Sequence, residues 1–195
     1  MSKEMKVLPR SFYERDTSEV ARALLGKILV HRGHEGLASG KIVETEAYYG
    51  EGDPASRASR GKTKMNEIMW GPGGRAFVYV VHGQCLFNVT AKRGGVPGAV
   101  LIRALEPLEG VELMQRRRGM KLGKELTSGP GKLTEAMAIT RAHHGFDLTS
   151  PNSELVIVEG EPQDFVIGSS HRIGVSADLE RKLRFYIDGN PFVSR

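Results

Sequence analysis

Apolar positions along the chain recur with two different periods, and the switches between those periods divide it into elements. In residues 11–30, Val20, Leu24 and Leu25 fall at helical spacing after a Ser or Asp/Thr cap, Gly26 stops the run, and Lys27 to Val30 turns strand-like. Residues 31–40 read as a Gly-rich turn into a strand through Ile42 and Val43. Residues 75–82 and 99–105 are two more strands, the second carrying Arg103 inside an apolar run. Residues 108–118 have a helical pattern, and a second helix runs through Leu133, Met137 and Ile139. Residues 172–175 and 183–187 look like a closing pair of strands. The pattern predicts an α+β fold: one compact domain over residues 1–195, with a mixed, mainly antiparallel β-sheet core and flanking helices.

Two stretches depart from plain patterning. From Val43 onward, alternation puts Thr45 on one strand face and Glu44, Glu46 and Tyr48 on the other. A carboxylate beside a flat aromatic suits water activation next to a stacked planar substrate, although a salt-bridged surface strand can carry the same letters. Residues 50–74 form a long Gly-rich segment with few apolar positions, the kind of extended connection that is functional when ordered.

Composition narrows the partners. With Lys+Arg 28 against Asp+Glu 23, the formal charge is +5, which favours polyanions without separating nucleic acid from an anionic membrane. The single cysteine, Cys85, excludes an internal disulfide and a cysteine-based zinc cluster, and suits a reducing compartment. No apolar run approaches bilayer length, so a soluble protein without membrane association is expected. No ligand-spaced cluster points to a metal. Ser128-Gly129-Pro130-Gly131-Lys132 resembles a phosphate loop but lacks its first glycine at Leu126, and Leu133 replaces the magnesium-binding hydroxyl, so a nucleoside-triphosphate site is rejected. That helix start and the run Arg116-Arg117-Arg118 can each hold a DNA phosphate or be an ordinary helix cap.

Taken in order, Glu44-Thr45-Glu46-Ala47-Tyr48, the loop Asp53-Pro54-Ala55-Ser56-Arg57, the Tyr79 strand ending at His82-Gly83, and Arg103 within Leu101 to Pro107 resemble the alkyladenine (3-methyladenine) DNA glycosylases. The likeness runs from Phe12 to Val193 and takes in Ala23-Leu24-Leu25-Gly26, Ser128-Gly129-Pro130 with Lys132-Leu133, and Leu183-Arg184-Phe185-Tyr186. The resemblance implies that Glu46 deprotonates the attacking water while Glu44 supports the site or the fold. It further implies that Tyr48 and Tyr79 stack on a flipped base, that Asn88 crowds the position of guanine's 2-amino group, and that Arg103 stands near the water and the sugar-phosphate. Two positions depart from the family pattern. Arg57 replaces a pocket histidine, and His82 replaces the tyrosine that fills the vacated base stack; the segment from His82 to Asn88 is also one residue short. Substrates implied by the resemblance are alkylated or deaminated purines, such as 3-methyladenine and hypoxanthine, in double-stranded DNA. It implies a monomer needing no cofactor or metal, located in the cytoplasm with the nucleoid or in a nucleus. Two rivals are a non-catalytic basic nucleic-acid-binding module of the same fold and a hydrolase of free nucleosides or sugars.

Overall fold

In the computed structural model, which describes residues 6–194, the expected first helix is split in two. α1 (Arg10–Tyr13) ends at Glu14, and α2 (Thr17–Leu24) begins afresh because the Asp16 carboxylate accepts from the Ser18 N–H, satisfying one donor of the new first turn. The 31–40 turn shrinks to a tight connection between β1 (Ile28–Gly33) and β2 (Gly36–Tyr48), so His31 lies within a strand.

β2 is the spine of the molecule. Along one edge it pairs with β5 (Ala99–Glu109); along the other it pairs first with β1 and then, at Glu44 to Glu46, with β8 (Arg184–Ile187). β3 (Ala76–Val81) and β4 (Gln84–Thr90) extend the sheet beyond β5, and β6 (Leu155–Val158) extends it beyond β1, in the order β3-β4-β5-β2-β1-β6. β7 (Ile167–Ser170) pairs with β8. Every one of these strand pairings is antiparallel, in agreement with the expected α+β class and its mainly antiparallel core.

The closing strand partner of β8 is therefore β7, not residues 172–175, which form a loop. The 108–118 helix starts late: β5 continues to Glu109, and Gly110, at φ 71°, makes the turn into α3 (Val111–Arg117). A Cβ at Gly110 would stand 2.2 Å from the Leu37 carbonyl oxygen, so only glycine fits the crossing. α4 (Lys124–Thr127) and α5 (Pro130–Ala136) follow, the latter with Pro130 in its first turn. Most of the buried apolar side chains form one core between the sheet and α2 and α5, including Leu24, Ile42, Phe87, Ile102, Leu133 and Phe185. No helix among the described residues is long and apolar enough to cross a membrane.

Candidate active site

The two faces of β2 at its C-terminal end are put to different uses. Thr45 turns toward α2, its hydroxyl donating to the Ala21 carbonyl, while Glu44, Glu46 and Tyr48 point the other way, as alternation predicts. The strand is buried on both sides, so the alternation there separates core from site and not core from solvent.

Glu44 and Glu46 are both 0% exposed, yet their surroundings differ. Glu44 takes four donors: Arg103 Nε at 2.9 Å, Arg184 Nε at 2.7 Å, Ser194 N–H at 2.7 Å and Ser194 Oγ at 2.9 Å. Three of these donors meet on Oε1 and the Ser194 N–H reaches Oε2, so Glu44 is committed to tying Ser194 to β5 and β8. Glu46 accepts two hydrogen bonds, from the Ile173 N–H at 2.8 Å on Oε1 and from the Tyr48 hydroxyl at 2.7 Å on Oε2, and Arg103 Nη1 stands 3.3 Å from Oε2 as an ion pair. Oε1, with a single donor, keeps an acceptor site. Burial pushes the Glu46 carboxyl above the usual carboxylate range, with Arg103, the Ile173 N–H and the Tyr48 hydroxyl pulling against it. Arg103 keeps its charge: burial opposes it, but Glu46 and Glu44 outweigh that cost.

Tyr48, Arg103 and Ile173, the three residues that contact Glu46, line a cleft of about 690 Å³, and the fully buried Glu46 lies behind them. Tyr48 and Tyr79 both contribute to its wall, and Arg57 and His82 stand at the same opening. The Arg57 guanidinium, which also lines the cleft, lies over the Tyr79 ring, 4.9 Å from its centroid. Burial raises the Tyr79 hydroxyl pKa, while Arg57 and Asn88 beside it lower it. Asn88 itself does not line the cleft. It is buried behind the wall, on β4 opposite Phe77, and its amide donates to the Phe77 carbonyl at 3.2 Å. His82 and Gly83 form a two-residue hairpin turn with φ of 49° and 79°, the left-handed pair that matches strand twist. Histidine is one of the few side chains enriched in that region, and the turn leaves the ring exposed at the tip.

Several determinants have no local signal in the sequence. Arg172, 5% exposed, makes paired bonds to Asp53 at 2.6 and 2.8 Å, binds Asp178 at 2.6 and 2.9 Å, and donates to the Ala47 carbonyl. Its guanidinium also sits 4.6 Å from the Tyr48 ring centroid, so one face of that ring is already covered. The clamp fixes the 172–175 loop, whose Ile173 N–H reaches Glu46. Within residues 50–74, the buried Asn66 donates to the Arg57 and Gly61 carbonyls and accepts from the Thr63 N–H, holding the loop in one shape. Arg57, Arg60, Lys62 and Lys64 are consequently displayed, exposed, along one ordered segment beside the cleft. The run 116–118 is a different matter. Arg117 pairs with Glu35 and the Ala136 carbonyl, and Arg118 with Glu135, so two of its three cations are engaged in helix packing.

A buried carboxylate with a remaining acceptor site, two tyrosine rings and a fixed arginine, behind a cationic rim, can activate water against a planar ring carried on a polyanion. Comparison with known proteins agrees: residues 11–191 match the family described as methylpurine-DNA glycosylase (MPG). The chain is 44% identical over 193 residues to a protein of Chlorobaculum tepidum named "Putative 3-methyladenine DNA glycosylase", covering 98% of this chain and 92% of the relative. Relatives with the same name in Carboxydothermus hydrogenoformans and Methanocella arvoryzae are each 47% identical, covering 97% and 98% of this chain and 99% and 97% of their own. The chain belongs to the methylpurine-DNA glycosylase family, and its coarse role is that of a DNA glycosylase with DNA as substrate.

Proposed function

We propose that the chain is a monofunctional purine-DNA N-glycosylase, which rotates an alkylated or deaminated purine nucleotide out of the duplex and hydrolyses its glycosidic bond. The observation that carries this reading is the difference between the two buried glutamates: Glu44 accepts four hydrogen bonds that tie β5, β8 and Ser194 together, whereas Glu46 accepts two, keeps an acceptor site on Oε1 and stands behind the cleft residues Arg103, Tyr48 and Ile173.

In this reading a water bound at that site, about 3 Å from the anomeric carbon, attacks as the bond to the purine nitrogen breaks. The bonding pair leaves with the base, Glu46 takes the water proton, and its charge favours the oxocarbenium-like sugar. Extruding the nucleotide costs a few kcal/mol, offset by stacking on Tyr48 and Tyr79 at about 1–3 kcal/mol per stacked base. Among the described residues no lysine lines the cleft, which supports direct hydrolysis over a covalent amine route. The joint presence of Glu46, Tyr48 and Arg103 argues against a non-catalytic binding module, and the exposed cations of residues 57–64 argue against free nucleosides as substrates.

Glu46→Gln keeps the shape and removes the base. Single-turnover excision should fall by roughly 10²–10⁴-fold, the usual worth of a general base, while lesion-DNA binding persists. In the wild type the acid limb of the rate profile should lie above the ordinary glutamate value of 4.5, because burial raises the Glu46 pKa and only the ionised form accepts a proton. Substantial turnover by Glu46→Gln would reject the assignment. A gel-based panel of hypoxanthine, 3-methyladenine, 7-methylguanine and ethenoadenine substrates defines the lesion range.

A further inference from the structure

A second group of titratable side chains lies outside the cleft. His31 on β1, His143 in the 3-10 turn Arg141–His143, and Glu154 just before β6 converge although 112 residues separate the two histidines. Their nearest donor atoms lie within 4.8 Å of one another: His31 Nε2 is 3.2 Å from His143 Nε2, which is 3.5 Å from Glu154 Oε1. The histidines are 4% and 7% exposed, while the Glu154 side chain, 47% exposed, opens the group to solvent.

We propose that His31, His143 and Glu154 form a zinc-binding site that ties β1, the 141–143 turn and the lead-in to β6 together. Tetrahedral zinc with ligands at about 2.0–2.1 Å has edges of about 3.3–3.4 Å, and the 3.2 and 3.5 Å separations are close to such edges. The outer contacts are also in place. His31 Nδ1–H donates to the Met137 carbonyl at 2.6 Å, which directs the Nε2 lone pair into the group.

His143 has two arrangements available. Without metal, its Nδ1 accepts the Thr140 N–H at 3.0 Å, leaving Nε2–H to donate to His31. With metal, the ring proton moves to Nδ1, where the Thr140 carbonyl at 3.3 Å and hydroxyl at 3.4 Å can accept it. The exchange forfeits the Thr140 N–H bond, so binding in the micromolar range is expected instead of the tightest structural-zinc affinities. Arg117, the nearby cation that acts on His31, is paired with Glu35. Imidazole and carboxylate donors suit zinc better than calcium or magnesium, which prefer all-oxygen sets. Three protein ligands leave a fourth position for water. Because the adjacent His144 accepts from the Val78 N–H, metal at His143 would brace the strand that carries Tyr79.

The test uses the full chain stripped with a chelator. Cobalt should give the visible absorption of a near-tetrahedral site at one equivalent, and zinc should displace it and raise the melting temperature. Glu154→Gln, a change at the solvent-exposed ligand that leaves the fold intact, should weaken zinc binding by about tenfold or more, and His143→Gln should abolish it. Absence of both the cobalt band and the zinc-dependent melting shift overturns the proposal. So does unchanged affinity in Glu154→Gln, or binding retained by a His143→Gln protein that folds by circular dichroism.

Discussion

Glu46, Tyr48 and Arg103 stand on neighbouring central strands with their polar atoms largely bonded, whereas Arg57 and His82, at the same cleft, stand on a turn-rich segment and a hairpin tip. Among the described residues no carboxylate pairs with Arg57, while Arg103 and Arg172 each bind two. The strand side is pre-organised: its groups are held where charge would develop, at a cost met during folding. The loop side keeps its charge available to whatever enters. On the proposed reading, chemistry belongs to the first side, and the choice of base and the grip on DNA belong to the second.

The largest expected effect comes from unsettling the strand side through Glu44, which accepts four hydrogen bonds. Glu44→Gln leaves the Arg103 and Arg184 guanidiniums buried without their shared carboxylate, a loss of about 3–5 kcal/mol by the usual cost of breaking a buried ion pair. Urea denaturation should show the drop in midpoint. Glu46→Gln should lose far less stability, because folding raises the Glu46 pKa. A group shifted upward contributes its stability below the ordinary carboxylate value and loses it as pH rises through the raised one, so at neutral pH the ionised side chain stabilises little. Equal losses for the two variants would erase the distinction between supporting and reacting carboxylate.

A smaller effect separates the two sets of cations. Lys62→Ala with Lys64→Ala should flatten the slope of log affinity against log salt by roughly one unit for each phosphate that is no longer neutralised, and Arg117→Ala with Arg118→Ala should leave it unchanged because those cations hold Glu35 and Glu135. The reverse result would return DNA binding to the 116–118 run.

What was legible in the chain follows the same division. Glu46, Tyr48 and Arg103 could be picked out because strand alternation and short motifs are local. Arg172 could not: its partners lie 119 residues back at Asp53 and 6 forward at Asp178, and residues 172–175 read as a strand because the β-branched Ile173 and Val175 recur at period 2. Ile173 offers only its backbone N–H to Glu46, which no side-chain pattern records. The His31 to Glu154 cluster was invisible for the same reason, compounded by assigning His31 to a turn. The fold class survived these errors because it depends on the apolar strand runs, while strand ends and pairings depend on partners distant in sequence.

Arg57 gives the subtlest test, since it alters the loop side alone. Its guanidinium over Tyr79 repels a fixed positive charge entering the stack and donates readily to an acceptor on the base edge. Arg172 lies on Tyr48 as well, but Asp53 and Asp178 compensate its charge, so of the two guanidiniums on the cleft tyrosines Arg57 is the one without a carboxylate partner among the described residues. Wild type should therefore favour neutral lesions with an acceptor at position 6, hypoxanthine above all, over cationic 3-methyladenine. Arg57→His, neutral above its pKa near 6.5 and still planar, should shift the ratio of single-turnover rates toward 3-methyladenine by several-fold, about 1 kcal/mol for removing an exposed cation–ring interaction. If Arg57 instead swings out to a phosphate when DNA binds, the variant lowers affinity for every duplex alike and the rate ratio stays constant, which would move this residue from the base pocket to the backbone contacts.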